Sequence, residues 1–168
     1  VFKHIKYYLI LLLLIIIQNR FIWLVSISSY NIFPDLVVIM VTYIGIKKGK
    51  ITGCIAGFTA GILLDILAGS FIGLSALSYT LAGFIAGYFY ESDPEKMRAK
   101  RLLTIITLTV FVSSFIYYEI YFVVSPNPQS FVEIIYKFVA PTMVYTVLVG
   151  LILIFFPKRK STSSLYSN

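Results

Sequence analysis

Few side chains here could do chemistry. The 168 residues hold one histidine, one cysteine and seven carboxylates. Three of the carboxylates, Asp35, Asp65 and Glu119, stand in or at the edge of long apolar runs. Acid–base or nucleophilic catalysis needs a base, an acid or a nucleophile held within hydrogen-bond reach of one another. These three acids come from separate runs with no recognisable spacing between them, and no histidine accompanies them. His4 lies in a basic N-terminal stretch and reads as a solvated group at headgroup depth. Cys54 is alone, so the chain forms no internal disulfide and offers no metal framework. The sequence thus presents no catalytic, cofactor-binding or metal-ligating set, and a protein that is not an enzyme is expected.

The spacing around Asp65 says more. Gly53, Gly57, Gly61, Asp65 and Gly69 fall four residues apart in a segment with no other charge. On a helix, four-residue steps form a ridge along one side. A ridge of glycines lets a neighbouring backbone come close, which is how helices pack within a bilayer. Gly83 and Gly87, with Gly73, offer a second set of small-residue contacts on the following helix. Asp65, at the end of the ridge, is expensive in lipid and should face the protein interior or water.

Composition places these helices in a membrane. The chain is 59% hydrophobic and 12% charged, which is an integral membrane protein rather than a soluble domain. Six apolar stretches are expected to span: 5–25, 34–46, 51–68, 71–90, 102–124 and 131–156. Pro34 suits the first turn of the second, and Asp35 beside it suits the positive end of that helix dipole. Pro141 should bend the sixth. The expected architecture is one all-α six-helix transmembrane domain over residues 1–160, with a disordered tail at 161–168.

Net charge is +7, yet the basic residues come in short clusters between apolar spans, which signals topology and not nucleic acid. With the N-terminus in the cytoplasm, Lys3, Lys6, Lys47, Lys48, Lys50, Lys96, Arg98, Lys100, Arg101, Lys158, Arg159 and Lys160 are inside. Arg20 and Lys137 alone fall outside, twelve against two of the 14 basic residues. Both termini are then cytoplasmic. Asp35, Asp65, Glu119, Glu133, Lys137 and Arg20 gather near the outer side. Glu133 and Lys137 read as an ordinary i, i+4 pair. A buried Asp65 would need a partner, and Arg20 or Lys137 is the expected cation, with Glu119 as a further candidate member of such a buried ion pair.

Pro34-Asp35-Leu36, the Lys47-Lys48-Gly49 turn, Gly53, Gly57-Phe58, Gly61, Asp65, Gly69, Gly73-Leu74 and Gly83 with Gly87 together resemble the bacterial rod-shape-determining protein MreD family. The resemblance is carried by residues 34–90; beyond them, size, span count and the basic tail agree. It implies a fold similar to the substrate-binding subunits of energy-coupling-factor transporters. It also implies a non-enzymatic scaffold of the cell-elongation machinery in the bacterial cytoplasmic membrane. Implied partners are the membrane protein MreC, the actin-like MreB, RodA with its transpeptidase, and membrane lipid. Pro34, Asp35, Asp65 and the glycines carry over as packing or interaction positions. The competing class is a solute-binding transport subunit, which an outward cavity with convergent polar groups would favour.

The charge asymmetry makes a direct test. A cysteine at position 127 should be labelled from the cell exterior and one at position 97 should not; the opposite pattern would refute the topology.

Overall fold

Among the described residues every regular element is helical. The computed structural model describes residues 2–25, 34–94, 97–125 and 130–155. The side chain of His4, the connections 26–33 and 126–129 and the tail 161–168 lie outside the described residues. Helix α1 is Phe2–Val25, α2 Leu36–Lys48, α3 Lys50–Ala68, α4 Leu74–Tyr88 and α5 Ala99–Val124. A short α6, Phe131–Ile134, continues through a π-helical turn, Ile135–Val139, into α7, Ala140–Phe155. These make six rods in the expected order.

Three rods are long and apolar enough to cross a membrane: Lys50–Ala68, Ala99–Val124 and Phe131–Ile152. The expected six helices are present, but they differ in length. Helix α2, with 13 residues, and α4, with 15, reach only about 20–22 Å at 1.5 Å per residue, against a hydrocarbon core of about 30 Å. Both start later than the apolar runs do. Pro34 and Asp35 precede α2, with Asp35 as its N-cap and not a first-turn residue. Phe71 and Ile72 belong to a turn, and α4 opens only after Gly73. The runs are apolar because these residues meet lipid or protein, not because all of them are helical.

Helices α3 and α4 form the most extensive contact. A Cβ added to Gly53 would collide with the carbonyl of Gly83, one at Gly57 with that of Tyr79, and one at Gly61 with the backbone of Ala76. Read from the other side, a Cβ at Gly83 would strike Gly53 and one at Gly87 would strike Lys50. The pairs run in opposite directions along the two helices, so the hairpin is antiparallel, with backbones in contact over its whole length. Gly45 of α2 completes the seam, its added Cβ lying 2.8 Å from the Gly83 carbonyl. Two glycines leave the expected pattern. Gly69 has φ of +64° and open space around it, and Gly73 has φ of +100°. They turn the chain in the left-handed region and pack against nothing.

The bundle has two chemically distinct ends. At one, Glu91 N–H bonds the Ile46 carbonyl at 2.8 Å, and Lys47 and Lys48 reach over the ring of Tyr7. Lys50 sits 3.6 Å above the Tyr88 ring centroid there. At the other end, Phe71 of the α3–α4 turn meets Tyr121 near the end of α5. In the last rod, the Ala140 N–H bonds Ile135, five residues back. This π turn lies immediately before Pro141, whose ring excludes the ordinary i−4 arrangement at that point.

The seam predicts a graded response. Gly57→Ala and Gly61→Ala should each cost about 1–3 kcal/mol, because a first carbon already meets backbone, and leucine should cost more. Gly150→Ala should be near neutral, since its Cβ would meet Ile106 and Ile39 side chains at 3.6–3.9 Å. Thermal melting in detergent checks this order; an unchanged Gly61→Leu would place the ridge toward lipid.

Candidate functional site

Away from the lysine-rich end, a helix that stops short must still satisfy its first N–H groups. Within a bilayer no water does this, so the protein must. The structure shows how for both short helices. Asp35 caps α2, its carboxylate accepting from Val38 N–H at 3.1 Å. Gln18 of α1 accepts the Val37 N–H at 3.2 Å and donates its amide to Asp35 at 3.4 Å. Thr146 of α7 accepts the Asp35 N–H at 3.0 Å. Tyr79 of α4 donates its hydroxyl to the second Asp35 oxygen at 2.8 Å. One carboxylate therefore joins α1, α2 and α4, and its backbone adds α7. Tyr79 is 5% exposed and Gln18 7%, so this polar knot is closed off on those sides.

Asp65 does the same for α4. Its side chain is 0% exposed. It accepts from Gly73 N–H at 2.8 Å, from Ser75 N–H at 3.2 Å and from the Ser70 hydroxyl at 3.1 Å. Its backbone carbonyl meanwhile accepts from the N–H groups of Gly69 and Ser70. One residue thus ends α3 and begins α4. Hydrogen bonds to a charged acceptor contribute about 1.5–3 kcal/mol each, enough for three donors to offset a desolvation cost of several kcal/mol.

The expected ion pair is corrected by this geometry. Among the described residues, the partners of Asp65 are the donors of the next helix and turn, not Arg20 or Lys137. Arg20 is exposed on α1, and Lys137 bonds Glu133 at 3.2 Å. Peptide donors eight and ten residues away needed an acceptor of their own, so one carboxylate meets both demands without a cation. Glu119 is a member of neither set of hydrogen bonds around Asp35 and Asp65. Gly53, Gly57, Gly61, Gly83 and Gly87 form the seam that brings Asp65 onto the start of α4, and Gly69 and Gly73 supply its turn.

Sequence reasoning missed Gln18, Tyr79, Ser75 and Thr146. Gln18 carried a signal, being polar within an apolar run. Tyr79 carried none, since an aromatic in a membrane helix is ordinary. A further missed link joins α2 to α5, where the Thr42 and Thr109 hydroxyls lie 2.8 Å apart. Among the described residues no group of three or more His, Cys, Asp or Glu side chains is placed to hold a metal ion. What this arrangement does chemically is hold helix ends.

A family model described as rod shape-determining protein MreD matches residues 3–158. No match was found among curated proteins or among solved structures.

The capping geometry orders a mutant series. Asp65→Ala strands two peptide donors and a hydroxyl and should cost about 2–4 kcal/mol, at the upper end of cap and unsatisfied-donor effects. Asp65→Asn keeps one acceptor oxygen and should cost about half as much. Arg20→Ala combined with Asp65→Ala should be additive within about 0.5 kcal/mol. Detergent melting of the four proteins checks this, and strong coupling to Arg20 would restore the ion pair.

Proposed function

This chain belongs to the MreD family of rod shape-determining proteins, and on that premise we propose that it is a non-enzymatic membrane scaffold of the cell-elongation machinery. It binds an MreC-like membrane protein and helps couple MreB and the RodA–transpeptidase pair to peptidoglycan synthesis. The match over residues 3–158, nearly the whole chain, carries this reading. The use of the interior carboxylates supports it: Asp35 and Asp65 spend their oxygens on helix ends, as a rigid scaffold requires. The chain lies in the bacterial cytoplasmic membrane, with the lysine-rich end and both termini inside and the carboxylate knots toward the outer face. The glycine seam and the two caps are in this reading the framework that holds partner-facing surfaces in place.

The rival reading, a solute-binding transport subunit, rests on an expected likeness of fold that no match among solved structures supports, and even a shared fold would not transfer a function. The discriminating experiment is purification of the tagged chain from solubilised membranes, with identification of what accompanies it. The expected result is an MreC-like chain enriched over an unrelated multi-span control. Recovery of transporter ATPase subunits in its place, or no such enrichment, would overturn the scaffold reading.

A further inference from the structure

Glu119 is the carboxylate the internal knots leave out. One of its oxygens is buried and has no hydrogen-bond partner, although the side chain as a whole is only half-buried. It stands five residues before the end of α5, about 8 Å along the axis. The residues one helical turn to either side, Phe115 and Phe122, both carry rings that meet the last rod. Phe115 meets Phe131 edge-on at 5.9 Å, and Phe122 meets Phe138 at 4.8 Å. Residues at i−4 and i+3 share a helix face, so Glu119 lies on the side of α5 turned toward α6 and the π turn.

That rod contributes Glu133 and Lys137, already paired at 3.2 Å. Two carboxylates and one ammonium leave the seam with a formal charge of −1. The other cation at this end, Arg20, is exposed on α1, a helix that packs against α2 and α3. Among the described residues no cation pairs with Glu119. The same end exposes large apolar side chains from both rods: Val123 at 78%, Val132 at 71% and Tyr136 at 77%. A half-desolvated carboxylate at fixed depth within an apolar rim fits a cation delivered at fixed depth with apolar neighbours.

We propose that the outer end of the seam between α5 and α6 docks a membrane segment of another protein, which places a lysine or arginine on Glu119. The proposal rests on the scaffold reading only for the identity of that chain; the chemistry of the partner comes from Glu119 and its rim.

The test places a photo-crosslinking amino acid at Val123 or Tyr136 of the full-length chain in cells and maps the adduct by peptide sequencing. Adducts should map to a protein segment with a lysine or arginine within one helical turn. Glu119→Lys should lower their yield about tenfold and Glu119→Gln several-fold, and an acid at the mapped basic position should restore the yield with Glu119→Lys. If Glu119→Lys melts early in detergent, Glu119→Gln carries the comparison. Adducts to lipid alone, adducts to a segment without a cation, or yields unaffected by both substitutions would overturn the proposal. An MreC-like chain that co-purifies undiminished with Glu119→Lys would refute this docking and leave the scaffold reading standing. A charge-dependent adduct to an unrelated chain would do the reverse.

Discussion

A helix that ends inside a bilayer has to find acceptors for its first N–H groups within the protein. The rest of this fold is arranged around that requirement. Helices α2 and α4 are shorter than the hydrocarbon core of a bilayer, and each begins on a carboxylate. Asp35 serves the first from the residue just before it. Asp65 serves the second from the preceding helix, eight residues upstream of Gly73. Both acids are costly in lipid when unpaired, and so are uncapped peptide groups. Placed together, the two liabilities cancel.

Asp65 can meet the start of α4 only if the two helices touch backbone to backbone. The glycine seam achieves this: Gly53, Gly57 and Gly61 each lie against main chain of α4 with no space for a side chain. Packing and capping are thus one device. Any side chain in the seam lifts α4 away and lengthens the bonds at Asp65, while loss of Asp65 leaves the hairpin end without its closure. The Asp35 knot extends the dependence outward, because Tyr79 leaves the same helix α4 to reach it. Movement of α4 would therefore be felt at α1, α2 and α7 through one carboxylate and its neighbours.

Much of this was legible in the sequence, and the failures have physical causes. The ridge was readable because four-residue spacing has one meaning on a helix, and Gly83 with Gly87 marked small-residue contacts on the following helix. The helix starts were not readable. Phe71 and Ile72 are apolar because they face outward at the turn, exposed by 48% and 75%, and hydropathy does not distinguish an apolar turn from a first helical turn. The partner of Asp65 was misassigned for the same reason. With the true start of α4 hidden, the open N–H groups of Gly73 and Ser75 are not visible as donors, and a cation of matching depth, Arg20 or Lys137, is the expected partner. Pro34 before Asp35 fitted either a first turn or a cap, and only the backbone decides between them.

The three membrane carboxylates show that the role of an acid in such a protein is set by its donors and not by its depth. Asp35 and Asp65 sit among peptide and hydroxyl donors presented by fixed helix ends, and their interactions are completed within the chain. Glu119 lies on a continuous stretch of helix, where every nearby N–H is bonded to its own i−4 carbonyl and no helix end offers donors. The aromatic pairs flanking it, Phe115 with Phe131 and Phe122 with Phe138, line the seam without adding a donor. The residues one turn away from it on α5, Phe115, Ile116, Phe122 and Val123, carry no side-chain donor, so this carboxylate is satisfied only from outside its own helix. The cation of the neighbouring rod, Lys137, is engaged by Glu133 one turn away on that same rod. The same rule that makes two of the acids internal fixtures leaves the third directed outward.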